Sequence, residues 1–379
     1  MISPKRGGTI MKIFLLYGGK SAEHDISILT AYSIIQEIYY QYYEVEPIYI
    51  TRTGQWIRGP IVHQADEITS AKALRMEPSE QKGFTKDDLV SSTGQLIKPS
   101  EIQEENAVIF PALHGPNGED GTVQGLFEVL NMPYVGAGVL ASAAGMDKIV
   151  TKHLFHQAGL PQVPYEPITK FDWENQREQV FIRCEGSLIY PMYVKPANMG
   201  SSVGINKATN REELEEAVRQ AFQYDRRVVV EQGIEEAREV EVALLGNDDI
   251  HTSVPGELLK DVDFYDYESK YISNEVQMQI PAALTEELTA KLRSYAVRAF
   301  QAIDGNGLSR CDFFLTNNGE IFVNEINTMP GFTAYSMYPL LWKNTGLHYG
   351  DLVEELIQLA LKRFEERQGF QQKNYDAMK

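Results

Sequence analysis

Apolar and polar positions along the chain change character twice, and each change marks a new kind of unit. Residues 12–17 form an apolar run that stops at Gly18-Gly19, residues 43–51 form another, and a helically spaced stretch lies near 26–39 between them. Strand, helix and strand in that order predict a parallel sheet, since parallel neighbours need a crossover connection. Residues 56–105 are rich in Gly, Pro, Ser and charge, and their weak periodicity predicts no element. Order returns at 107–113, a buried strand that opens at His114-Gly115 into a glycine-rich loop. A helix is predicted from Val123 and a short strand at Tyr134-Val135.

Past Gly136 the pattern becomes mixed. A small-residue helix over 140–146, a second helix and strand-like runs at 192–195, 204–207 and 228–231 predict an α+β unit with antiparallel pairing. A third unit holds a strand at 240–245, a loop at 256–274 dense in Tyr, Asp and Lys, a helix over 285–303 and a β-hairpin over 308–327. The stretch 351–366 has apolar residues at helical spacing and is expected to pack on the core. The expected units are therefore 11–136, 137–234 and 235–379, with residues 1–10 read as a disordered extension or cloning remnant ahead of Met11. No internal repeat is visible.

Composition narrows the partners. A chain of 379 residues with 43% hydrophobic content is long enough for two or three cores. Its formal charge of -18, without a basic stripe, argues against nucleic acid and for a small-molecule partner. The longest uncharged, mostly apolar stretch, residues 132–146, is shorter than the ~20 residues of a membrane helix, so no bilayer span is expected. Cys184 and Cys311 each sit in an apolar run read as a strand, which suits buried thiols in a reducing cytosol.

Two nucleotide motifs fail on inspection. Gly19-Lys20-Ser21 ends like a P-loop, but position 14 is Phe where the motif needs its first glycine. Residues 136–141 match G-x-G-x-x-A, yet no acidic residue follows about 20 positions on to take a ribose hydroxyl. The seven histidines show no H-x-x-x-H spacing and no paired Cys, which disfavours zinc.

The C-terminal hairpin carries the strongest chemistry. Alternation puts Arg310 and Asp312 on one face of its first strand and Glu325 and Asn327 on one face of its second, with Cys311, Phe313 and Ile326 turned away. Two carboxylates and an amide form an oxygen donor set suited to Mg²⁺ and nucleotide phosphates; the same alternation also suits a half-solvated sheet face. Lys195 at a strand end precedes the Gly200–Gly204 loop, whose glycines and Ser201-Ser202 can approach an oxyanion, or simply turn. Met146-Asp147-Lys148 opens a helix with a second lysine. The loop at 264–271, with aromatics, acids and Lys270, reads as a lid over a site or as an exposed tyrosine-rich loop.

Taken in order, these pieces resemble the ATP-grasp family, and within it the D-alanine–D-alanine ligases. The likeness rests on Gly18-Gly19 with Ser21, Glu23 and Ser27; His114-Gly115 with Gly118 to Gly121; Met146-Asp147-Lys148; the 200–204 loop; residues 265–271; and residues 327–331. The resemblance implies a three-domain α/β and α+β architecture, with a Rossmann-like parallel-sheet domain and two α+β domains enclosing ATP. It implies ligation of two D-alanine molecules through an acyl phosphate by a cytoplasmic homodimer that contributes to peptidoglycan synthesis. Asp312, Glu325 and Asn327 would hold two Mg²⁺ or Mn²⁺ ions. Lys148, Lys195, Ser202 and Lys270 would hold phosphates, and Glu231 and Glu239 the adenine and ribose.

By the same resemblance Glu23 would bind the first ammonium group, with His114 near that substrate's carboxylate, and Ser201 and Tyr271 would join Glu23 in a triad. Arg310 and the Gly331 N–H would stabilise the oxyanion, and the backbone at Ser336 and Met337 would take the second carboxylate. His24 stands where many relatives have Arg, and Tyr335-Ser336-Met337 replaces His-Ser-Leu. Tyr271 favours D-alanine over D-lactate as the second substrate. The alternatives are an ATP-grasp ligase acting on D-lactate or D-serine, distinguishable by product against pH, and a nucleotide-binding protein without catalysis.

Overall fold

The computed structural model describes residues 10–78, 92–259 and 277–377. β1 (Met11–Gly18) is buried over its last six positions, as a strand covered on both faces must be. After α1 (His24–Glu37), β2 (Tyr43–Ile50) returns parallel to it, and β6 (Ala107–Pro111) pairs parallel on its other side. Between them come β3 (Trp56–Arg58), β4 (Met76–Pro78) and β5 (Ser92–Ile97), giving the order β4-β5-β3-β2-β1-β6. These three short strands fall in the stretch where the sequence predicts no element. They build out one side of the sheet with β4 outermost, and a strand of three to six residues leaves too little alternation to read.

α2 (Thr122–Val129), α3 (Val139–Met146) and α4 (Lys148–Gln157) lead to the second sheet. It consists of β7 (Tyr165–Thr169), β8 (Met192–Pro196), β9 (Asn206–Ala208) and β10 (Arg227–Gln232), all antiparallel in the order β7-β10-β8-β9. α5 (Lys170–Asn175), α6 (Arg177–Ser187) and α7 (Arg211–Ala221) cover it. Cys184 lies in α6, which corrects its reading as a strand residue. Val180, Phe181 and Cys184 are buried at helical spacing, whereas Ile182, central to the apolar run, is 53% exposed. Both thiols are buried and free.

The third sheet runs β14-β13-β11-β15-β16, again antiparallel. Its strands are β11 (Arg238–Gly246), β12 (His251–Thr252, paired on β11), β13 (Gly256–Leu259), β14 (Gln277–Gln279), β15 (Gly307–Leu315) and β16 (Ile321–Asn327). α8 (Glu286–Ala302) packs on one face, and α9 (Met337–Thr345) and α10 (Tyr349–Ala377) follow the hairpin. α10 extends past both ends of the predicted helix and docks through Leu352, Val353, Leu356, Ile357 and Ala360.

The first and third sheets share a core. Ile13, Leu15 and Tyr17 of β1 belong to the same buried cluster as Leu245, Leu308, Phe332, Tyr338 and the inner face of α10. Their backbones also touch: a Cβ on Gly307 would sit 3.2 Å from the Cα of Gly136, and both residues have positive φ. Arg363 of α10 donates to the Gly136 and Tyr134 carbonyls and lies 4.4 Å over the Tyr134 ring, which locks that junction. The second sheet keeps a cluster of its own, built from Trp173, Phe181, Val194, Val218, Val230 and their neighbours.

Candidate active site

Three loops meet where β1, β6 and β8 end. Glu23 caps the start of α1, and its Oε1 accepts a hydrogen bond of 2.5 Å from Ser201 Oγ, a residue 178 positions away. Gly115 makes room for this carboxylate: a Cβ there would fall 2.6 Å from Glu23 Oε2. Ser27 ties the strand ends together, donating to the Ala112 carbonyl at 2.5 Å and accepting from the Gly18 N–H at 2.8 Å. Ser201 and Ser202 both adopt positive φ, a costly backbone for non-glycine residues that the surrounding contacts must hold.

His114 is buried beside them. Its Nε2 lies 2.9 Å from Thr30 Oγ1, its Nδ1 3.3 Å from the Met329 carbonyl and 3.7 Å from Glu119 Oε1. Burial pulls the imidazole pKa down, but Glu119, Glu23 and the Met329 carbonyl outweigh it and hold it above the ordinary value. His24 is different: its ring is fixed between the Gly19 carbonyl and Tyr49 Oη, and burial lowers its pKa.

The hairpin presents the polar face that alternation predicts. Asp312 stands directly opposite Glu325, and Arg310 opposite Asn327. Both Asp312 oxygens accept from Arg310, at 2.7 Å each, and Asn327 Nδ2 donates to Asp312 Oδ2 at 2.9 Å. Arg310 Nε also lies 2.8 Å from Glu241 Oε2, on the neighbouring strand opposite Asp312. Arg310 is thus held by two carboxylates. Among the described residues no group of three or more His, Cys, Asp or Glu is placed to hold a metal ion; the oxygen donors expected for one are Asp312, Glu325 and Asn327. Those donors are all hard oxygens from adjacent strands, which fits Mg²⁺ or Mn²⁺.

A bulge adds one residue to this face. The register shifts between Asp312 and Phe313, so that Phe313 pairs with Val323 and Asn324 becomes the extra residue. Consequently two consecutive residues, Asn324 and Glu325, are half-buried between the buried Val323 and Ile326. Strict alternation from Glu325 would have turned Asn324 into the core, and the sequence reading missed it.

A lysine cluster from β8 and α4 faces this bulge. Lys195 Nζ donates to Glu231 Oε2 at 2.7 Å and to Asn324 Oδ1 at 3.3 Å, joining β8, β10 and β16. Lys148, at the first turn of α4, donates to the Met199 carbonyl at 2.6 Å, and burial lowers its pKa. One helical turn on, Lys152 Nζ lies 3.0 Å from Glu231 Oε1. Burial alone would raise the Glu231 pKa, yet Lys152 and Lys195 hold it down at about 2. Lys152 was also missed; its signal was the i,i+4 spacing after Lys148 on one helix face.

The remaining expected residues lie on neighbouring elements or outside the described residues. Glu239 is the second residue of β11, opposite Phe314, on the side of the sheet that carries Glu241 and Asp312. Ser336 caps α9 and accepts from Thr333, and Met337 is its buried first residue, so α9 directs backbone N–H groups at this end. Gly331 follows β16 on the connection to α9. Lys270 and Tyr271, with the expected lid at 256–274, lie largely outside the described residues; within it, β13 covers Gly256–Leu259.

Comparison with known proteins converges on one family. A family model described as D-ala D-ala ligase N-terminus matches residues 12–137, and one described as D-ala D-ala ligase C-terminus matches residues 154–358. The chain is 58% identical over 366 residues to a D-alanine–D-alanine ligase of Enterococcus hirae, covering 96% of this chain and 100% of the relative. A solved D-alanine–D-alanine ligase from Coxiella burnetii superposes with a TM-score of 0.78 at 31% identity, covering 98% of this chain and 99% of the other. The VanG D-Ala:D-Ser ligase from Enterococcus faecalis superposes with a TM-score of 0.77 at 31% identity, over 93% and 100%.

Proposed function

The chain belongs to the D-alanine–D-alanine ligase family, and on that premise we propose that the cleft between the second sheet and the β15–β16 hairpin carries the ATP-dependent joining of two D-alanine molecules. The observation that carries this reading is Lys195, which spans Glu231 and Asn324 and so sets an ammonium-rich wall against a carboxylate-bearing hairpin. A triphosphate between such walls meets cations on one side and metal-ligating oxygens on the other.

The chemistry needs this division. A carboxylate is a poor electrophile, so one of its oxygens attacks the γ-phosphoryl group, ADP leaves, and an acyl phosphate forms. The amine of the second D-alanine, deprotonated, then attacks the acyl carbon, and phosphate departs with its C–O bond electrons. Lys148, Lys195 and Ser202 position the phosphate chain, while Glu231 and Glu239 face the adenine and ribose. Two Mg²⁺ or Mn²⁺ ions would be held by Asp312, Glu325 and Asn327 and would supply charge neutralisation on the phosphate oxygens.

Glu23, aligned by Ser201, takes the first substrate's ammonium group, and His114 attends its carboxylate. Arg310 and the Gly331 N–H meet the charge that develops on the tetrahedral oxygen, and the N-terminus of α9 at Ser336 and Met337 receives the second carboxylate. A cytoplasmic homodimer completes the proposal.

Phosphate release from ATP with Mg²⁺ and D-alanine tests it. Glu325→Ala should lose about a thousandfold or more of turnover, in line with removal of a transition-state charge partner, while keeping its circular dichroism and thermal unfolding. Turnover within tenfold of the parent, in folded protein, would remove the hairpin from the active site.

A further inference from the structure

Lys152 is a buried cation that the reaction described above does not use. Its side chain is 2% exposed, too enclosed to reach a nucleotide, and it projects from α4 one turn beyond Lys148. Its charge meets two groups: Glu231 Oε1 at 3.0 Å and the face of the Tyr165 ring, 5.1 Å to the centroid. Tyr165 stands directly opposite Glu231 across β7 and β10, so the pairing register fixes both partners. The other Glu231 oxygen is held by Lys195 at 2.7 Å. Glu325 acts on both lysines from farther away, and Glu239 on Lys195.

Charge balance gives Lys152 a task. A single carboxylate between two ammonium groups leaves one positive charge, and Lys195 carries it toward the cleft through its contact with Asn324. Were Lys152 absent, Glu231 and Lys195 would neutralise each other, and the wall facing the triphosphate would lose a full charge where low polarity makes it felt most. We propose that Lys152 is a positioning residue for ATP: it serves as the counterion of Glu231 and thereby leaves the charge of Lys195 to the triphosphate. The inference rests on the ATP site proposed above.

Steady-state kinetics on the full chain test this, with ATP and D-alanine varied separately. Lys152→Met should raise KM for ATP roughly tenfold to a hundredfold, as expected for loss of one nearby charge, and change KM for D-alanine by less than about threefold. Lys152→Gln is the second variant, should Lys152→Met fold poorly, and Lys152→Arg should restore the parent value.

The deciding measurement is the same change in a Glu231→Gln background. With no carboxylate left to neutralise, losing Lys152 should shift KM for ATP by less than about threefold further. Equal losses in both backgrounds would mean that Lys152 acts through packing or touches ATP itself, and the inference fails. Lys195→Met separates the two readings: an unchanged KM for ATP there removes the ATP site, whereas a raised one with an unaffected Lys152→Met removes this inference alone.

Discussion

The shared core of the first and third sheets and the separate core of the second are held to their surroundings by different forces. Between the first and third sheets the contact is apolar and continuous, from Ile13 and Tyr17 through Leu308 and Phe332 to the inner face of α10. The second sheet meets the rest largely through directed polar contacts: Ser201 on Glu23, Lys148 on the Met199 carbonyl and Lys195 on Asn324. One small buried cluster of Ile149, Ala197 and Val229 joins them. Apolar burial is non-directional and lost only by exposing surface, whereas a hydrogen bond nets about 1 kcal/mol and can be exchanged for one to a ligand. Catalytic chemistry therefore belongs at the polar seam, where Glu23, Ser201, Lys148 and Lys195 lie.

The largest expected effect sets the two cores against each other. Phe332 packs against Phe110, Tyr338 and Tyr349, with centroids 6.1, 5.8 and 5.3 Å away, and Phe181 packs edge-on against Trp173 at 5.5 Å. Truncating either to Ala should cost about 3–5 kcal/mol. Scanning calorimetry should show two transitions, with Phe332→Ala lowering the one that melts the first and third sheets together and Phe181→Ala lowering the other. If both variants displace one common transition equally, the cores are not independent and the comparison breaks.

A smaller effect is expected at the seam. Ser201→Ala removes the 2.5 Å bond to Glu23 without touching either core. Turnover should fall by roughly tenfold to a hundredfold, the scale of misplacing a substrate-binding group, while unfolding shifts by less than about 1 kcal/mol. A matching loss of stability would show that this contact braces the fold and does not orient Glu23 for substrate.

Sequence reading reached the continuously buried and the regularly alternating strands and missed several short ones. β1, β2 and β6 were legible because they are apolar on both faces, and the hairpin because Arg310, Asp312, Glu325 and Asn327 keep the period of two. β3, β4, β5 and β7 were not, since strands of three to six residues carry too little alternation to leave a pattern. In the site, Asn324 escaped because a bulge breaks the very alternation used to find its neighbours, and Glu241 because its place beside Arg310 depends on which strand pairs with β15. Lys152 escaped for another reason: its i,i+4 spacing after Lys148 is common among surface lysines, and only the position of Glu231 marks it as buried and paired.

The smallest expected effect sharpens the comparison at His114, which ties the first sheet's loop to the segment after β16. Its Nε2 meets Thr30 and its Nδ1 the Met329 carbonyl, with Glu119 close enough to favour the charged ring. Because its folded pKa is raised above the ordinary 6.5, the stability it contributes is full below that value and fades as pH climbs through the higher folded pKa. His114→Gln keeps an acceptor and a donor but cannot be charged. Denaturant unfolding of parent and variant should therefore differ most below pH 6.5 and converge as the pH rises above it, in the transition of the first and third sheets and not in that of the second. A gap that stays constant across that range would mean that the imidazole acts by shape alone, and that proton binding does not strengthen the join between the two fused sheets.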